Sequence, residues 1–238
     1  MTTKPEPTLR LACINSAAAP LFELAGADGR RVGYEPAVGA LLAETLGWDL
    51  AWVYLPWAEL LPSLGDGRAD AVLCGQSIIP TRQAVADFTA PYAVFHESVL
   101  VRAGDAVTSP EGLRGKRIAA IAESTNMALA ETFDEAVTVP FGGQSDDVFG
   151  DMLAALRAGD VDAVVDDDVV FVPLAGSAEF DLAFTVQTGN RWGLAVPKSR
   201  PSLLDALDEA LAAVKADGRL AAAWDEWLPS LEYPFAAE

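Results

Sequence analysis

The chain is poor in the residues most often used for catalysis, redox chemistry and nucleic-acid binding: it has one histidine, two cysteines and sixteen lysines and arginines among 238 residues. Each scarcity excludes something. Cys13 and Cys74 are too few for a disulfide framework or a cysteine-only zinc site. His96 is the only base available to a Ser-His-Asp arrangement, and its surroundings, AVFHESVLV, read as a strand without a nucleophile motif. No catalytic residue, metal site or cofactor is therefore assigned. The sixteen basic residues face thirty-five acidic ones, for a formal charge of −19. No basic patch is visible, which excludes nucleic acid and anionic membrane as partners. The surplus acid reads as solubility, with attraction of a cationic ligand as the alternative. No apolar run approaches the roughly 18 residues needed to cross a bilayer. The start, MTTKPEPTLR, is polar and proline-bearing, unlike a signal peptide. Two expectations follow. If an export sequence has been removed, the protein works on the extracellular side of the membrane, as a secreted, periplasmic or lipid-anchored protein; if Met1 is the native start, it is cytoplasmic.

What is present is an alternation of short apolar runs and helical patterns. LRLACI (9–14), LAWVYL (50–55) and ADAVLC (69–74) have the unbroken apolar character of strands covered on both faces. Between the first two, Val38, Leu41, Leu42, Thr45 and Leu46 recur at helical spacing. Trp57, Leu60, Leu61 and Leu64 repeat it, with Pro62 kinking or delaying the helix and Gly65 and Gly67 as a stop. Strand, helix, strand, helix, strand is the alternation of an α/β sheet. A helix at 126–134 and two closing helices at 201–216 and 219–228 are expected, the last two needing an apolar partner in the first part of the chain.

An internal echo implies two such sheets. LLPSLGDGRADAVLCG (60–75) and MLAALRAGDVDAVVDD (152–167) align without gaps, each a helix, a glycine stop and a buried strand. Chance recurrence of a common helix-to-strand connection is the plainer alternative. Ligands of open α/β sheets sit beyond the carboxyl ends of the strands, which here means Cys74–Gly75 in one lobe and Asp166–Asp167 in the other. If the lobes face each other, small polar groups and Arg82 line one wall of a cleft and carboxylates the other.

The segments GYEPAVGALLAETLG (33–47), WAELLPSLGDGRADAVLCGQSIIPTRQAVADFTAPY (57–92), LRGKRIAAIAESTN (113–126), LRAGDVDAVVDD (156–167) and WGLAVPK (192–198) together resemble the type 3 extracellular solute-binding proteins, in that family's order over nearly the whole chain. The resemblance implies a periplasmic binding protein-like II fold, an α/β architecture of two Rossmann-like lobes joined by two hinge strands near 94–98 and 189–193. Lobe 1 would be discontinuous (1–96 and 192–238) and lobe 2 would span 97–191. It also implies a monomeric protein that binds an amino acid in an interlobe cleft, closes by hinge bending and delivers the ligand to an ABC permease if exported.

The family's site residues carry over position by position. An arginine presents a planar fork of donors that fits a carboxylate bidentately, and the position of Arg82 grips the ligand's α-carboxylate. Gly75 and Ser77 add main-chain and hydroxyl contacts. Thr125, opening a helix beside Ser124, offers donors from a helix N-terminus. Asp167 takes the α-ammonium, and Trp57 packs on the ligand side chain, although its spacing also suits a core residue. Asn15, in the first loop, completes the set. Each has a plainer reading: Arg82 as a surface ion pair and Asp166–Asp168 as a solvated acidic face. The chain departs from the family at Ala18, where a second aromatic ring is usual, at Glu123, where glycine is common, and at Glu35–Ala37, which breaks an acidic alternation. Cys13 and Cys74 end neighbouring strands and read as buried, inert thiols.

Two other functions fit the fold. Cyclohexadienyl dehydratases resemble this family, but their chemistry needs a glutamate where Val170 stands, and Val170 cannot transfer a proton. A cytosolic amino-acid sensor is the other alternative. A non-enzymatic binding protein is the expectation.

Overall fold

The computed structural model describes residues 7–24, 26, 30–142, 145, 147–175 and 177–235. In chain order, β1 is Thr8–Cys13, α1 Tyr34–Leu46, β2 Asp49–Tyr54, α2 Pro62–Gly65, β3 Ala71–Val72, α3 Pro80–Gln83, β4 Asp87–Phe88 and β5 Ala93–Arg102. There follow β6 Arg117–Ile121, α4 Thr125–Ala130, β7 Val137–Phe141, α5 Val148–Ala158, β8 Ala163–Asp167 and α6 Asp168–Phe171. The chain closes with β9 Phe180–Trp192, β10 Ala195–Val196, α7 Pro201–Ala216 and α8 Arg219–Trp227.

These elements form two units. One gathers Met1–Asn15, Leu24–Val94 and Arg191–Glu238; the other gathers Ser16–Glu23 and Phe95–Asn190. The chain passes between them inside the long strands β5 and β9, at 94–95 and 190–191. The short stretch Ser16–Glu23, which the sequence places with the first lobe, groups with the second unit.

The first unit's sheet has the order β2-β1-β3-β10-β4. β1 runs parallel to both neighbours, from Thr8 opposite Asp49 on one side and Leu11 opposite Ala71 on the other. Leu9, Leu11, Ala12, Val72 and Leu73 are fully buried, as unbroken apolar strands of a covered parallel sheet should be. Helix α1 packs on α7 and α8, where Tyr34 meets Trp224 edge-on with ring centres 5.3 Å apart and Val38, Leu42, Leu203, Leu207 and Leu211 are buried. Gly39 sits in mid-helix because an added Cβ would stand 3.1 Å from Leu11 and 3.2 Å from Trp52; only hydrogen lets helix and sheet approach so closely. The helical spacing from Trp57 to Leu64 yields a 3₁₀ turn at Trp57–Glu59 and then α2, with Pro62 at the helix start. Proline lacks the N–H that a continuous helix would need there, and its fixed φ suits the first turn of a new one.

The second sheet has the order β7-β6-β8-β5-β9. Here β6 is parallel to β7 and β8, and β5 is antiparallel to β8. Val99, Val101, Ile118, Val165, Met127 and Phe133 build its core. Helix α4 ends at Ala130, short of the 134 expected.

The echo extends to side chains. In the first unit Arg10, on β1, donates its backbone N–H (2.9 Å) and its Nε (3.0 Å) to Asp70, and its Nη1 to the Gly67 carbonyl. In the second, Arg117, on β6, donates its backbone N–H (2.9 Å) and Nε (3.1 Å) to Asp162 and its Nη2 to the Gly159 carbonyl. Gly67 and Gly159 both lie at positive φ, 75° and 80°, where a side chain is strained. The arginine holds the carboxyl of Asp162 down at about 2. The recurrence of three matched contacts favours duplication of one unit plan over chance.

Candidate functional site

All eight residues singled out from the sequence lie among the described residues, and each unit is taken by itself. In the first, they gather beyond the carboxyl ends of β1 and β3. Asn15 is exposed just past β1. Gly75 lies at φ 57°, and an added Cβ would come within 3.3 Å of the Trp192 ring. Its N–H donates to Glu35 Oε1 at 2.7 Å. Ser77, 2% exposed, pairs with Trp192 in a lone antiparallel bridge, and the Ile78 N–H donates to the Arg191 carbonyl at 2.8 Å. The segment is thereby pinned as it enters the four-residue helix α3.

Arg82 projects from that helix. It is buried, 7% exposed; its guanidinium carbon lies 5.5 Å from the centre of the Trp57 ring, and Nη1 reaches the Ser77 carbonyl at 3.4 Å. Trp57 is half-buried, a platform for the guanidinium rather than a member of the core beside fully buried Leu60. Cys13 and Cys74 are buried free thiols. Burial pushes Cys13 up to about 12 against the pull of Arg31, and Cys74 higher than usual as well, so both remain unreactive thiols at neutral pH.

In the second unit the residues converge where β8 ends and α4 begins. Ser124 caps α4, accepting the Met127 N–H at 3.0 Å. Thr125 is half-buried on the first turn, whereas Glu123 is exposed at φ 61°. Asp166, Asp167 and Asp168 are 7%, 8% and 8% exposed, so they are not a solvated face. Glu97, also buried, stands opposite Asp167 across the β5–β8 ladder. Asn126, a residue that the sequence reading passed over, donates Nδ2 to Asp166 Oδ1 at 3.0 Å and to Asp167 Oδ2 at 3.4 Å. Asp168 accepts the His96 N–H at 3.2 Å. Two buried acceptor atoms, Asp167 Oδ1 and Asn126 Oδ1, have no hydrogen-bond partner among the described residues. Buried acceptors left over in a native fold call for a donor from outside it. Val170, 3% exposed, presents only hydrocarbon.

The acids carry the electrostatic mark of such a site. Burial, followed by the facing charge of Glu97, pushes Asp166 up to about 7; burial, then Asp166 and Glu97, push Asp167 well above the carboxyl range. A carboxyl raised on folding contributes stability that is complete below its ordinary value near 3.8 and is lost as pH climbs through about 7. The ligand-free protein is therefore expected to melt roughly 3–8 °C higher at pH 5 than at pH 8. Asp166→Asn should reduce that difference in scanning calorimetry, with Asp167 carrying a share of its own, and identical pH slopes in the two proteins would contradict this electrostatic reading.

Residues 11–230 match the sequence model of bacterial extracellular solute-binding proteins, family 3. The chain belongs to that family. Among its relatives, it is 29% identical over 221 residues to the ABC transporter arginine-binding protein 1 of Escherichia coli K12, covering 90% of this chain and 88% of that one. It is 27% identical over 215 residues to the L-cystine-binding protein TcyJ of the same organism, covering 87% and 78%. Among solved structures, an ancestral arginine-binding protein bound to arginine superposes with a TM-score of 0.83 at 26% identity, covering 94% of this chain and 100% of that one. The two-sheet α/β architecture read from the sequence is thus the fold of known amino-acid binders.

Proposed function

We propose that this family 3 solute-binding protein captures an amino acid on the extracellular side of the membrane and hands it to an ABC importer. One observation carries the reading: the first unit holds a buried guanidinium over an aromatic ring on α3, and the second holds buried acids beside two unfilled acceptor atoms, Asp167 Oδ1 and Asn126 Oδ1. These are the complements of the two ends of a zwitterion. Arg82, with Gly75 and Ser77, takes the carboxylate; Asp167 takes the ammonium, with Thr125 and Asn126 beside it. Asn15 and Trp57 face the remainder of the ligand. A ligand that engages groups of both units favours whichever arrangement lets both act at once. Val170 lacks the proton that dehydratase chemistry requires, which favours binding over turnover.

The test is a thermal-shift screen of the twenty amino acids and L-cystine, led by L-arginine and L-cystine because relatives are named for them. A ligand present at a hundred times its Kd adds about 2.7 kcal/mol, hence several degrees in Tm. A screen in which no amino acid raises the melting temperature would overturn the proposal.

A further inference from the structure

Glu35 is the second residue of α1, where an acid ordinarily faces water and the helix dipole. Here it is 1% exposed. Its Oε1 accepts the Gly75 N–H at 2.7 Å and also the Tyr92 hydroxyl. Tyr92 is held in turn by Tyr34, whose hydroxyl donates to the Tyr92 carbonyl at 2.6 Å. Three distant stretches of chain, the start of α1, the loop after β3 and the start of β5, thus meet at one carboxylate. Oε2 has no hydrogen-bond partner among the described residues. A position selected for packing alone would shed that uncompensated oxygen.

The consequence falls on the peptide between Cys74 and Gly75. With its N–H directed at Glu35, its carbonyl is directed to the other side, where the Gln76 side chain donates to it at 3.1 Å. Gly75 then takes φ 57°, and the chain turns into Ser77 and α3.

We infer that Glu35 is a positioning residue for ligand binding: through the Gly75 amide it sets the turn that presents Gly75, Ser77 and Arg82. The inference rests on those three residues being the carboxylate-binding group. The groups around Glu35 are Arg31, which attracts it, together with Tyr34, Tyr92, Cys13 and Cys74. Burial raises Glu35 from its ordinary value, against the pull of the Tyr92 and Gly75 hydrogen bonds and of Arg31.

The test uses ¹⁵N-labelled full-length protein without ligand, then calorimetry with L-arginine and L-cystine as probes. In the wild type, the amide proton of Gly75 and the resonances of Ser77 and Arg82 are expected to shift together through one inflection above the ordinary value of a glutamate. That inflection should vanish in Glu35→Gln. Glu35→Ala should weaken probe binding roughly 10- to 100-fold. Glu35→Gln, whose amide oxygen still accepts from Gly75, should recover most of the loss, which separates positioning from a failure to fold. Resonances of Ser77 and Arg82 that ignore the Gly75 inflection would overturn the inference, as would wild-type affinity in Glu35→Ala. Should Arg82→Ala bind a probe like wild type, or should no amino acid raise the melting temperature of the wild type, while the three resonances still move together, the carboxylate-binding reading falls and the role of Glu35 in setting the turn remains.

Discussion

Arg82→Ala is expected to weaken amino-acid binding by roughly 100-fold or more, and Arg82→Lys to recover little of it. A guanidinium offers a carboxylate two parallel N–H donors in one plane, and this one is already desolvated and oriented by the Trp57 ring and the Ser77 carbonyl. Little ordering remains for the ligand to drive. Lysine keeps the charge but offers neither the fork nor the stacking plane. Because the guanidinium is 7% exposed and lies against an aromatic face, truncation also costs the fold something on the order of 1 kcal/mol. Titration calorimetry well below the melting temperature isolates the binding effect, and wild-type affinity in the alanine variant would end the assignment of this residue.

Much of this was legible in the chain itself. Apolar runs marked β1, β2 and β3, and the echo between 60–75 and 152–167 marked β8 and two sheets of one plan. The echo could not show what holds it. Asp70 and Asp162 align, but their arginines, Arg10 and Arg117, lie on other strands, beyond any local window. Glu35 was hidden for a related reason. One residue past the start of a helix, its direction depends on packing against Tyr92 and Gly75, far along the sequence, and alternation of charge says nothing of that. Pro62, which the sequence marks as a kink or a delay of the helix, delays it: the helix begins at Pro62 after a 3₁₀ turn, and Trp57 stays half-buried beside Arg82. The three aspartates at 166–168 look like a solvated run because sequence records charge and not enclosure. In the fold, β8 and the start of α6 carry them inside, against Glu97.

That enclosure makes the effect of Asp167→Asn two-sided. Binding should fall roughly 30- to 300-fold, since the asparagine amide keeps the shape but loses the charge that an ammonium needs in a desolvated setting. Stability without ligand should move the other way. Burial and the facing charges of Asp166 and Glu97 make ionisation of Asp167 unfavourable, so toward alkaline pH, as the wild type is driven to ionise, the variant should unfold at the higher temperature. Toward acid pH, as the wild-type carboxyl takes up its proton, the two melting temperatures should converge. An acid retained for structure would lose stability on replacement, and an acid retained for a ligand gains stability while losing affinity, the usual sign of a site held at a cost to the fold. Paired calorimetric titrations and thermal melts at pH 5 and pH 9 distinguish the two. A variant that binds normally, or one that is destabilised at both pH values, would show that Asp167 serves the fold rather than the ligand.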